Sequence, residues 1–262
     1  MVIGLDKFRE AFVGFTDNYI IIGGTACDIV LRDTAMRPRA TNDIDMILVI
    51  EKMTPEFGKK FWEFIREGGY KNNQRKRGKD KEPVYELFRF IEPKAGYPFQ
   101  LELLSRYPEV LGVPAGFLLA PIPVGEDLSS LSAIMMDEDL YDYTVRYSEI
   151  NDGIRVATSY ALICLKTKAY NNLFEDKLNG KPINEKDLKK HRSDVLKLIA
   201  TSPIVEPIIV SKGIFDCTSQ FCDRMMDLLG NSSQSLTDAL HRNPEEIIVY
   251  INTLRDSFTT EK

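Results

Sequence analysis

The chain has 262 residues, 44% hydrophobic and 28% charged, which is enough to bury a sizeable core and excludes a disordered or low-complexity class. Its 39 acidic and 34 basic residues leave a formal charge of -5 and a pI near 5.3, so any contact with a nucleic acid must use a local patch rather than the field of the whole molecule. Four cysteines (Cys27, Cys164, Cys217 and Cys222) match neither a disulfide framework nor CxxC metal spacing.

In chain order, Leu5, Phe8, Phe12 and Phe15 recur at helical spacing, and the run Tyr19-Ile-Ile-Ile reads as a buried strand. A helix is expected over Thr25–Arg32, directly after Gly23-Gly24, then a second strand at Ile44–Ile50 and an amphipathic helix at Phe57–Glu67. Extended segments at Tyr70–Gln74, Val84–Ile91 and Phe99–Leu104 follow and are expected to add to the sheet in antiparallel fashion. Between Tyr107 and Asp152 short strands are expected at Phe117–Ala120 and Tyr141–Tyr147. Helices are expected at Ala157–Phe174, Glu185–Ala200, Ile204–Val210, Phe215–Leu229 and Pro244–Phe258. This order predicts an α/β (α+β) domain with a mixed sheet over residues 1–153 and a helical domain over 154–262. The amino terminus lacks the run of a signal peptide and no segment is long enough to cross a bilayer, so a cytoplasmic protein without membrane contact is expected.

Two short motifs carry chemistry. Asp43 and Asp45 begin an apolar strand, where alternate residues project from one face, so both carboxylates point the same way. Such a pair can hold a hard cation that bridges phosphates; it is equally what a polar turn before a strand looks like. Gly23-Gly24-Thr25 joins a strand to a helix, where backbone N–H groups can receive an anion, or where glycine serves only the turn.

Together, Gly23-Gly24-Thr25-Ala26 and Arg39-Ala-Thr-Asn-Asp43-Ile-Asp45 resemble the nucleotidyltransferase superfamily that includes DNA polymerase β, within it the AbiEii-type, toxin-related branch. Lys166-Thr-Lys-Ala169 and Lys190-His-Arg-Ser-Asp194 are similar to that branch's later motifs. The resemblance implies an enzyme that moves a nucleoside monophosphate from an NTP to an acceptor hydroxyl, with Mg²⁺ (or Mn²⁺) as cofactor. It implies Asp43 and Asp45 as metal ligands, and Gly23, Gly24, Thr25, Arg39, Lys166 and Asp194 as nucleotide contacts. A third catalytic carboxylate and metal ligand is expected on the neighbouring strand, at Glu102 with Glu86 as rival. A cognate antitoxin protein is a further implied partner.

Lys71–Lys81 concentrates positive charge and can hold an RNA acceptor, or be a solvated loop. Lys166 and Lys168 can equally snorkel from a helix. Two other readings stay open: a small-molecule nucleotidyltransferase of the aminoglycoside-modifying type, and a non-catalytic protein that binds a nucleotide or a partner.

Overall fold

The computed structural model describes residues 2–72, 86–105 and 137–261. Its frame is a mixed sheet of seven strands: β1 (Tyr19–Ile22), β2 (Asp43–Leu48), β3 (Lys71–Asn72), β4 (Glu86–Ile91), β5 (Gln100–Ser105), β6 (Ser148–Asn151) and β7 (Ile154–Ala157). They lie in the order β3-β4-β5-β2-β1-β7-β6. β2 runs antiparallel to β1 and parallel to β5. β1, and β2 from Met46 onward, are apolar and buried on both faces because both faces are covered, while the start of β2 carries Asp43 and Asp45.

One face packs on α1 (Leu5–Phe12) and α3 (Pro55–Gly68). Phe8 and Phe12 from α1, Phe57, Phe61 and Phe64 from α3, and Tyr19 from β1 form an aromatic cluster with centroids 4.6 to 6.4 Å apart. Edge-to-face contacts of this kind add to the area they bury. Local chemistry sets the helix: Thr54 accepts from the Phe57 N–H, Pro55 opens the first turn, and Gly69 closes the last at φ 65°. The other face receives α2 (Gly23–Leu31), which packs in turn on α5 (Ser159–Leu178) and α6 (Glu185–Thr201). α4 (Glu138–Arg146), α7 (Lys212–Asn231), α8 (Gln234–Leu240) and α9 (Pro244–Asp256) complete the described helices. A small parallel pair, β8 (Ile208–Ile209) and β9 (Phe258–Thr259), ties the carboxy-terminal segment back. None of these helices is long and apolar enough to cross a membrane.

Several expectations need correction. The segment expected as a strand at Tyr141–Tyr147 is helical up to Arg146: Asp137 caps the Leu140 N–H, and Leu140, Tyr141 and Thr144 are buried at helical spacing. Ile204–Val210 is not helical, because Ile208 and Ile209 pair with β9 instead. Of the three added strands, β3–β4 and β4–β5 pair in antiparallel fashion as expected, but β5 joins β2 in parallel. A boundary at residue 153 cuts the β6–β7 hairpin at its turn, where Asp152 and Gly153 have φ 47° and 76°. β7 lies parallel to β1, so the sheet continues past that point, and one apolar core runs through both halves. The segments 73–85 and 106–136, with the expected strand at Phe117–Ala120, lie outside the described residues.

Candidate functional site

Asp45 stands at the centre. In the sheet it faces Ile22 of β1 on one side and Glu102 of β5 on the other, and Glu102 faces Arg89 of β4. Cross-strand partners share a face, so Asp43, Asp45, Glu102 and Arg89 all project from the side that carries α2. Asp43 is set opposite Gln100.

β1 passes into α2 without a linker. Gly23 takes φ 68°, in the left-handed region, and a Cβ there would collide with the Asp45 Oδ2 atom. At Gly24 a Cβ would lie 2.6 Å from Arg39 Nη2 and 2.7 Å from Thr41 Oγ1. Glycine is favoured twice, because the side chains of Asp45, Arg39 and Thr41 close onto this backbone. The first N–H groups of α2 have no intrahelical acceptor and lend the turn a partial positive charge. Thr25 is buried, and its hydroxyl donates to the Asp43 carbonyl oxygen. That hydroxyl ties α2 to β2, which leaves Thr25 only its backbone N–H to offer a ligand.

Lys166 of α5 and Asp194 of α6 meet behind this turn. Lys166 Nζ donates to Asp194 Oδ2 at 2.7 Å with both side chains almost fully buried, and Arg39 Nε donates to the same oxygen at 3.3 Å. Burial alone would raise the Asp194 carboxyl, but Lys166 and Arg39 outweigh it and hold the group below its ordinary range. Burial likewise works against the Lys166 ammonium, and Asp194 keeps it charged. Lys166 does not snorkel to solvent. Lys168, two residues on, points elsewhere and pairs with Asp137 at 3.2 Å.

The acids on the sheet are in the opposite condition. Burial, then the charges of Glu102 and Asp43, push the Asp45 carboxyl up to about 7, against the pull of Lys190 and Lys166. Asp43 is also raised by burial. Negative charge is thus crowded here and incompletely compensated, a donor set whose chemistry fits a hard cation held by Asp43 and Asp45. Glu102 fits that set poorly. Its Oε1 atom already accepts from Arg89 Nε and from Gln100 Nε2, each at 2.6 Å. Among the described residues no group of three or more His, Cys, Asp or Glu side chains is arranged to hold a metal ion.

A pocket of about 340 Å³, its open mouth included, joins these parts. Gly23, Gly24, Arg39, Asp45, Lys166, Lys190 and His191 line it, over an apolar floor of Leu162, Leu165 and Ala169. The structure so brings Gly23, Gly24, Arg39, Asp45 and Lys166 to one cavity, with Asp194 behind Lys166 and Asp43 and Glu102 beside Asp45. Glu86 is on β4, across the sheet from Ser105. Of the Lys71–Lys81 run, only β3 is described, with Lys71 paired to Glu92 at 2.7 Å; the rest falls outside the described residues.

Sequence reading gave no role to Lys190 and His191, although they open the Lys190-His-Arg-Ser-Asp194 motif, and missed Arg89 and Gln100. Burial, then Arg39 and Lys166, lower the Lys190 ammonium, and burial with Lys166 and Lys190 holds His191 well below its ordinary value and so neutral. Lys190 was readable, since it lies one helical turn before Asp194 and shares its face. Arg89 and Gln100 were not, because only the strand register brings them to Glu102. No known protein family, curated protein or solved structure matches the chain.

Proposed function

We propose that the protein is a metal-dependent nucleotidyltransferase that moves a nucleoside monophosphate from an NTP to an acceptor hydroxyl. One observation carries this reading: a two-aspartate strand, a glycine turn opening a helix, and a buried Lys166–Asp194 pair from far along the chain converge on one pocket. Each motif alone is common; an anion-receiving helix end and an acid pair that reaches the same cavity through Asp45 call for a ligand that carries both, a metal-bound polyphosphate.

Asp43 and Asp45 are the residues to hold Mg²⁺, which when bound supplies positive charge against the triphosphate. The rest of the work falls to the chain. Arg39, Lys190 and the amino-terminal N–H groups of α2 receive the phosphates at the pocket mouth. Lys166, too buried to reach far, fixes Asp194, and Asp194 orients the Arg39 guanidinium. Leu162, Leu165 and Ala169 offer an apolar surface to the nucleoside. In the transfer the acceptor oxygen bonds to the α-phosphorus as the bond to pyrophosphate breaks, and the hydroxyl proton is lost to solvent.

The engagement of Glu102 by Arg89 and Gln100 favours a second reading, a nucleotide-binding protein that transfers nothing. The two separate in one experiment. Wild type and Asp45→Asn are incubated with each NTP labelled at the α-phosphate, Mg²⁺ and total RNA or a set of aminoglycosides, and NTP affinity is measured in parallel by calorimetry. Label moved by wild type alone supports transfer and identifies the acceptor. Binding without transfer supports the second reading, and neither binding nor transfer sinks both.

A further inference from the structure

Along the solvent side of α6, Lys186, Lys189, Lys190 and Lys197 recur at intervals of three, one and seven residues. At 100° per residue they fall within a stripe about 100° wide and about 16 Å long. The pocket opens beside Lys190, so the stripe passes its mouth. Past the mouth, Lys197 Nζ donates to the Arg37 carbonyl oxygen at 3.1 Å, which brings the exposed Arg37 side of the loop onto the same line.

Much of this charge has no close carboxylate, in a protein with more acids than bases. Several surface cations elsewhere pair at close range: Lys177 with Glu185 and Lys181 with Asp176 at 2.6 Å, Arg255 with Asp223 at 2.8 Å. On the stripe the nearest acid, Asp187, stands 4.0 Å from Lys190. Among the described residues, Lys186, Lys189 and Arg37 have no carboxylate partner. Glu185, which could have supplied one, is turned to Lys177. Four lysines over about three helical turns, three of them within the first turn and Lys197 two turns on, spread charge over a length comparable to a few phosphates along a strand.

We infer that the face of α6 from Lys186 to Lys197, with Arg37, is the docking track for a single-stranded polynucleotide whose end reaches the pocket. This names the acceptor class for the proposed transfer and rests on that reading only for the direction of the strand. The contact is to backbone phosphates, so it selects polynucleotide over small-molecule acceptors and carries little base sequence information.

The test is the salt dependence of binding, followed by fluorescence anisotropy of a labelled short single-stranded RNA, and of DNA of the same sequence, over about 50 to 300 mM salt. The variant is Arg37→Gln/Lys186→Gln/Lys189→Gln, three exposed positions outside the pocket. Each lost phosphate contact lowers the log–log slope by about 0.7, so the triple variant should bind more weakly with a slope shallower by about 2. The control variant Lys177→Gln/Lys181→Gln/Lys212→Gln removes the same charge from paired lysines and should keep the wild-type slope. NTP affinity should be unchanged in both. Equal slopes in wild type and the stripe variant, an equal loss in the control, or no binding of either strand at low salt would overturn the inference. Strand binding in a protein that moves no label leaves this track standing and sinks the transferase reading; transfer to a small acceptor without strand binding does the reverse.

Discussion

Asp45→Asn should make the metal-free protein more stable, and more so as the pH rises. In the fold the Asp45 carboxyl titrates near 7 instead of its usual 3.8, because burial and the charges of Glu102 and Asp43 oppose its ionisation. The folded state therefore holds this proton more tightly than the unfolded chain does. Its contribution to stability is complete below about pH 4 and is lost as the pH climbs through 7. At about 1.4 kcal/mol per pH unit, the interval from 3.8 to about 7 sets a ceiling of about 4 kcal/mol. Asp45 is partly open to solvent, which reorganises around the charge and reduces this to about 1–2 kcal/mol. For a chain of this size that corresponds to about 3–6 °C in Tm. Asparagine has the same shape, fits against Gly23, and escapes the penalty. Thermal unfolding followed by circular dichroism with a chelator should show a small gain for the variant at pH 5 that widens to the full value at pH 8. Mn²⁺ should then raise the Tm of wild type but not of the variant, since only the carboxylate gains from the ion. A variant that is less stable than wild type at pH 8, or a difference that does not change with pH, would refute the charge-crowding argument.

Lys166→Met should cost about 3–5 kcal/mol in urea unfolding, because Asp194 is left as a buried charge with Arg39 alone. Lys168→Met, whose pair with Asp137 is part-exposed, should cost less than about 1 kcal/mol; comparable losses would contradict the burial difference. Gly23→Ala should lower both stability and Mn²⁺ affinity, since the positive φ costs about 1–3 kcal/mol and the new methyl displaces the Asp45 carboxylate. Gly24→Ala should be milder, as its nearest neighbour is the movable end of Arg39; the reverse order in a calorimetric titration would count against the packing described. Arg89→Met should free Glu102 and strengthen Mn²⁺ binding severalfold, whereas unchanged affinity would place Glu102 outside the cation site altogether.

Much of the site was legible in the chain. Gly23-Gly24 before a helix, two aspartates spaced by two on an apolar strand, and a lysine and an aspartate on later helices are local patterns. The helices α3 and α9 also announce themselves through Thr54-Pro55 and the Asn243–Glu246 capping box. Such signals involve groups within four residues of each other, and their energetics are settled before the chain folds on itself. The segment Tyr141-Asp-Tyr-Thr-Val shows where this fails. Its aromatic and β-branched residues alternate as in a strand, and burial of Leu140, Tyr141 and Thr144 on one side of a capped turn decides for helix.

The rest depended on partners far away in sequence. Ile208-Ile209 is a strand only because Phe258-Thr259 lies beside it. Whether Glu102 meets a metal or an arginine cannot be read from Gln100-Leu-Glu-Leu, since the register of β4 on β5 sets Arg89 opposite it. As a lysine on a helix Lys166 could equally have snorkelled to solvent; the placement of Asp194 and Arg39 makes it a buried ion. Local residue chemistry settles which positions can bear charge, turn tightly or alternate; burial and cross-strand register, which sum contacts over the whole chain, settle which charges face one another and at what cost.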